Sequence, residues 1–121
     1  MKIAITSNGK DLDSDVDPRF GRCQYFIVLD PETMEFTAHD NSGAMQRGGA
    51  GPVAVKTISD LGVEGVITGN VGPNAYDALS SAGIKAFIGA SGTVNEVVEQ
   101  WKNGVLEEAE GASVASHTGV R

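Results

Sequence analysis

Gly51-Pro52-x-Ala54-x₃-Ile58-Ser59-x₂-Gly62-Val63-x₃-Ile67 recurs 21 residues later as Gly72-Pro73-x-Ala75-x₃-Leu79-Ser80-x₂-Gly83-Ile84-x₃-Ile88. In each copy the apolar residues at i, i+4 and i+7 (Ala54, Ile58, Leu61; Ala75, Leu79, Ala82) give a helix one buried face. Proline suits the first turn, where its missing N–H would have had no intrahelical partner. Gly62 and Gly83 then close the helices at the position that favours a left-handed backbone, and a short apolar strand follows. Two copies are too few for a solenoid. They predict two consecutive helix–strand units with parallel strands and right-handed crossovers.

The flanking sequence completes a sheet. Residues 2–6 form a short apolar run ending at the turn Ser7-Asn8-Gly9, and read as a buried strand. Asp11 to Pro18 is an acidic loop. Residues 24–29 are rich in aromatic and β-branched types, and residues 34–39 supply their hairpin partner across Asp30-Pro31-Glu32-Thr33. Asp40 to Arg47 is a polar loop. After Gly92, Thr93 and Glu96 have capping-box spacing, and Val94, Val97, Val98 and Trp101 give a third helix its apolar face, with Gly104 as its stop. The expected fold is α/β: a mixed five-stranded sheet, antiparallel over strands 1–3 and parallel over strands 4–5, with three helices. Residues 1–106 make one domain, and residues 107–121, acidic and then small, read as a flexible tail.

The chain has 121 residues, 40% of them apolar, enough for one core without cross-links. Its net charge of −7 and pI of about 4.6 exclude a broad electrostatic attraction to nucleic acid or to an anionic membrane. Any anionic ligand must be held by local geometry. A single cysteine, Cys23, excludes an internal disulfide and a four-cysteine or Cys₂His₂ metal site made by one chain. The N-terminal apolar run is too short for a signal peptide or a membrane span, so the expected location is the cytoplasm.

Ligands of such sheets sit beyond the carboxyl ends of the parallel strands. Those ends carry Ser7-Asn8-Gly9, Gly69-Asn70-Val71-Gly72 and Gly89-Ala90-Ser91-Gly92, and Gly48-Gly49-Ala50-Gly51-Pro52 opens the first repeat. Glycine turns that run into helix N-termini present free N–H groups and a positive dipole end to an anion, although the same residues also serve simply to make turns tight. There is no Gly-x₄-Gly-Lys-Ser/Thr phosphate loop. Asp11, Asp13 and Asp15 have the spacing of the first EF-hand ligands, but Val16 stands where glycine is needed and Arg22 where the bidentate glutamate belongs. Cys23 has two readings: a thiolate favoured by Arg19 and Arg22, able to bind metal, or a small buried apolar residue. His39 is either a surface strand residue or a metal ligand. No serine or cysteine has a histidine partner identifiable by sequence, so no enzyme activity is expected.

Asp17-Pro18-Arg19-Phe20-Gly21-Arg22-Cys23-Gln24-Tyr25-Phe26 resembles the Phe-Gly-Arg segment of the dinitrogenase iron–molybdenum cofactor biosynthesis family, of the NifX and NifB C-terminal type. Gly48-Gly49-Ala50-Gly51, Gly69-Asn70-Val71-Gly72-Pro73-Asn74-Ala75, Gly83-Ile84-Lys85 and Gly92-Thr93-Val94-x-Glu96 match its later motifs in order, over residues 1–107. The resemblance implies a ribonuclease-H-like α/β fold. It also implies non-catalytic binding or carriage of a metal–sulfur cluster, with molybdenum and iron in the nitrogenase branch and molybdenum and copper in the orange-protein branch. The chain departs from the pattern at Arg19, where relatives often have histidine, and at Cys23, where many have alanine; the His-rich tail of some relatives is missing. A sulfide-rich cluster is anionic. It would be held non-covalently by Arg19, Arg22, Cys23, Gly48, Gly49, Gly51, Gly69, Asn70, Gly72, Ser91 and Gly92, with Cys23 and His39 as candidate metal ligands and no organic cofactor. The partner of such a carrier would be an acceptor protein. The rival reading is a metal-free interaction or regulatory module, whose same loops would contact a partner such as an ATPase.

Overall fold

A computed structural model of the chain describes residues 1–41 and 50–111. The elements are β1 (Ile3–Ser7), β2 (Tyr25–Leu29), β3 (Phe36–Asp40), α1 (Ala50–Asp60), β4 (Gly65–Ile67), α2 (Pro73–Ser81), β5 (Lys85–Ile88), α3 (Val94–Lys102) and β6 (Glu107–Glu108). They form one sheet in the order β3-β2-β1-β4-β5-β6. β1, β2 and β3 are antiparallel neighbours, while β4 pairs parallel with β1 and β5 parallel with β4, as expected.

The five-strand expectation is corrected to six. Glu107–Glu108, at the start of the segment read as a tail, pairs antiparallel with β5, and the N–H of Ala109 donates to the Ala86 carbonyl at 2.8 Å. A two-residue strand with exposed side chains leaves no hydrophobic pattern to read, so backbone pairing alone creates it. Residues 112–121 lie outside the described residues. The expected strand over 34–39 begins at Phe36 instead, because Met34 adopts a left-handed backbone (φ 66°) inside the turn and donates its N–H to Asp30.

β1 is buried at all five positions because both faces of the sheet are covered. Ala4, Phe26, Val28 and Val66 point to the cluster under α1 and α2, with Ala54, Ile58 and Leu79. Ile3, Ile5, Ile27, Leu29 and Ile67 point to the cluster under α3, with Val94, Val97 and Val98. Alternation along each strand therefore appears only as a choice between two cores. The helix ends follow the sequence reading: Gly62, Gly83 and Gly104 have φ of 79°, 72° and 73°, and Thr93 and Glu96 make the full capping box. Pro73 is the first residue of α2, whereas Pro52 is the third of α1, still within its first turn.

Three glycines draw separate segments together at the carboxyl edge of the parallel strands. A Cβ on Gly69 would lie 2.7 Å from Pro18 Cα, one on Gly21 would lie 3.0 Å from the Gly51 nitrogen, and one on Gly51 would lie 2.9 Å from Ala75 Cβ. The 18–21 segment thus lies directly on the β4–α2 turn and on the start of α1, and α1 in turn lies on α2. Replacing Gly69 by alanine forces backbone apart and is expected to cost about 1–3 kcal/mol in urea unfolding. Gly72→Ser, where a Cβ meets nothing within 4 Å at the N-cap of α2, is expected to leave stability within about 0.5 kcal/mol of wild type or to raise it.

Candidate functional site

The close approaches leave a groove of about 500 Å³, lined by residues 18–22, 50–52, 70 and 72–75. Its walls combine apolar surface (Pro18, Phe20, Ala50, Ala75) with Arg19 and Arg22. Among the described residues no cysteine, histidine or carboxylate lines it.

Arg19 is held on both sides of its Cα. Its backbone bridges to Asn70, whose N–H donates to the Pro18 carbonyl at 2.9 Å. Its side chain grips Asp17 through Nε to Oδ1 and Nη2 to Oδ2, each at 3.1 Å. The hydrogen bond and the charge of Asp17 raise the Arg19 pKa further, so the guanidinium is a permanent cation.

The helix starts on the two faces of the sheet differ in what remains available. At α3 all four leading N–H groups are occupied: Val94 donates to the Ser14 carbonyl, Asn95 to the Leu12 carbonyl, Glu96 to the Thr93 hydroxyl and Val97 to the Thr93 carbonyl. The acidic loop therefore closes that terminus, and Ser91 and Gly92 lie outside the groove lining. At α2, Pro73 has no N–H, Tyr76 donates to the Gly72 carbonyl, and no side chain caps the turn. Among the described residues no acceptor meets the N–H groups of Asn74 and Ala75, which stand at the groove they line. Of these two helix starts, that of α2 turns its dipole end to the groove.

Of the residues expected at the site, Arg19, Arg22, Gly51, Asn70 and Gly72 line the groove, and Gly69 sits behind it against Pro18. Gly48 and Gly49 lie outside the described residues. The sequence reading missed Phe20, Pro52, Asn74 and Asp17. Asn74 was findable, since it follows the N1 proline and so must carry a leading helix N–H.

The thiolate reading of Cys23 is corrected. The side chain is fully buried, its Sγ–H reaches the Phe20 carbonyl at 3.5 Å, and Asn41 Nδ2 lies 3.7 Å from the sulfur. Burial, then the charge of Asp17, pushes the thiol pKa up from 9.0 to about 12, against a smaller opposing pull from Asn41. The nearby Arg19 does not reverse this, because its guanidinium is turned to Asp17. His39 lies on β3 with Nε2 at 2.8 Å from the Thr37 hydroxyl, away from the groove lining. Among the described residues no three His, Cys, Asp or Glu side chains are grouped to hold a metal ion. Because the folded state keeps the Cys23 proton up to about pH 12 while the unfolded state loses it near 9.0, folding stability should fall across that interval. Alkaline unfolding curves of wild type and Cys23→Ala check this: the fall should be shallower in the variant, and the native thiol should react with a disulfide reagent only on unfolding.

Solved structures of similar proteins superpose on this chain. The apo form of the orange protein from Desulfovibrio gigas is 38% identical and superposes with a TM-score of 0.90, over 93% of this chain and 95% of that one. A Thermotoga protein named as a candidate NifB is 40% identical with a TM-score of 0.78, over 88% and 91% of the two chains. An uncharacterised protein of Methanocaldococcus jannaschii is 28% identical over 113 residues, covering 91% of this chain and 92% of its own. The profile of the dinitrogenase iron-molybdenum cofactor family matches residues 1–104. That span holds every described residue of the groove, and the chain belongs to the dinitrogenase iron–molybdenum cofactor family.

Proposed function

We propose that the protein binds and carries an anionic metal–sulfur cluster, molybdenum with copper or iron, in the groove between the 18–22 segment and the starts of α1 and α2. It acts as an accessory in cofactor assembly or storage and not as a catalyst. The observation that carries the reading is the convergence of Arg19, Arg22 and the α2 start at Asn74 and Ala75 on one groove of about 500 Å³, in a chain whose net charge is −7. An acidic protein that gathers two arginines and a helix start at one concavity is suited to a compact anion.

The donor set supports a non-covalent mode of binding. Among the described residues no thiolate, imidazole or carboxylate stands on the lining, which favours a cluster held without covalent metal ligands from the groove. The cluster is cargo that keeps its own sulfide ligands. Charge-assisted hydrogen bonds from the arginines and the α2 N–H groups hold its sulfur surface, and Phe20, Ala50 and Ala75 cover the rest. Non-covalent holding suits delivery, since nothing need be displaced from the metals when an acceptor protein takes them.

Anaerobic reconstitution with tetrathiomolybdate and Cu(I), and separately with ferrous iron and sulfide, tests this by metal analysis and visible absorption. A coloured, stoichiometric complex is expected with one of the two, and its metals identify the cargo. Arg22→Ala should weaken uptake about tenfold or more, as loss of a charged hydrogen bond does, whereas Cys23→Ala should retain it. A protein that stays colourless with both mixtures overturns the reading and favours a metal-free interaction module.

A further inference from the structure

Asp17 lies outside the groove lining, yet among the described residues it is the one buried carboxylate, at 1% exposure. Its backbone is clamped to β1 twice: its N–H donates to the Thr6 carbonyl at 3.0 Å, and its own carbonyl accepts the Thr6 hydroxyl at 2.6 Å. The Thr6 hydroxyl in turn lies 2.9 Å from that of Thr68, just beyond β4. Among the described residues the buried carboxylate accepts from one residue, Arg19. Oδ1 accepts from the Arg19 backbone N–H at 2.9 Å and from Nε at 3.1 Å, while Oδ2 accepts from Nη2 at 3.1 Å. The Asp17 side chain is 2% exposed and that of Arg19 is 67% exposed, so a buried anchor holds a solvent-facing cation.

We infer that Asp17 is a positioning residue that pre-orients the Arg19 guanidinium at the groove for an anionic cargo; the inference rests on the cargo reading above. An unrestrained arginine loses much rotamer freedom when it closes on a ligand. Here two side-chain hydrogen bonds to a carboxylate whose own backbone is tied to β1 remove that freedom beforehand. Asp17 occupies Nε and one Nη, which leaves the other edge of the guanidinium for the cargo. The proposal is distinguishable from simple electrostatics by sign. A carboxylate beside an anion site lowers its positive potential, so charge alone predicts that Asp17→Asn strengthens anion binding. Pre-orientation predicts that it weakens it.

The test is a double-mutant cycle of Asp17→Asn and Arg19→Lys, read by visible titration of the protein with tetrathiomolybdate and Cu(I). Each single variant is expected to bind about fivefold more weakly than wild type, and the double variant no more weakly than either, because both changes remove the same restraint. A second readout needs no cargo: the Arg19 Nε–H resonance should be resolved and slow to exchange in wild type and be lost in Asp17→Asn, with the backbone amide spectrum otherwise retained. Unchanged or tighter binding by Asp17→Asn overturns the proposal, as does an Arg19 Nε–H signal that survives the substitution. Additive losses in the double variant overturn it too. A wild-type protein that takes up no probe overturns the cargo reading instead, and that result is visible before any variant is compared.

Discussion

The structure depends on how closely three backbone segments approach at the carboxyl edge of the parallel strands. Gly69 lies where any side chain would strike Pro18, Gly21 lies against the first residues of α1, and Gly51 lies against Ala75 of α2. Without those contacts the loop after β1 would stand off the β4–α2 turn. Arg19 would then lose its backbone bridge to Asn70, and the wall and the floor of the groove would separate. The glycines therefore do more to define the site by being small than by being free to adopt unusual backbone angles. Gly72, with open space around it, makes the contrast: it lines the groove but holds nothing together.

Charge is arranged on the same scaffold. The molecule is acidic overall, and its acidic loop is folded away over the start of α3, where the carbonyls of Leu12 and Ser14 occupy that helix's leading N–H groups. The start of α2 is left open on the opposite side. Asp17, the last acidic residue of the same loop, turns inward and organises Arg19. A single short segment thus closes one helix terminus and furnishes a cation beside the other. The apolar clusters on both faces of β1 keep this segment fixed, since Val16 packs in one cluster and Phe20 in the other.

Most of the fold was legible in the linear pattern. The 21-residue repeat predicted two helix–strand units, the glycines after them predicted their stops, and Thr93 with Glu96 predicted the start of α3; all of these are observed. These signals are local, each carried by residues within a turn or two of the feature they specify. β6 was not legible, because Glu107 and Glu108 are exposed and pair only through backbone groups that any residue possesses. Nor was the true start of β3, since the left-handed Met34 carries no sequence mark of that conformation.

For the site, the sequence by itself determined the ingredients: glycine turns ahead of helices, two arginines in one short segment, and an acidic background that leaves recognition to local geometry. Tertiary structure alone decided which of them meet. It opened the α2 terminus and closed that of α3, because hydrogen-bond satisfaction depends on carbonyls some 80 residues away in the chain. It also reversed the expected state of Cys23. Two arginines close by in sequence suggest a thiolate, but folding turns Arg19 to Asp17 and buries the sulfur, and desolvation then holds the thiol protonated.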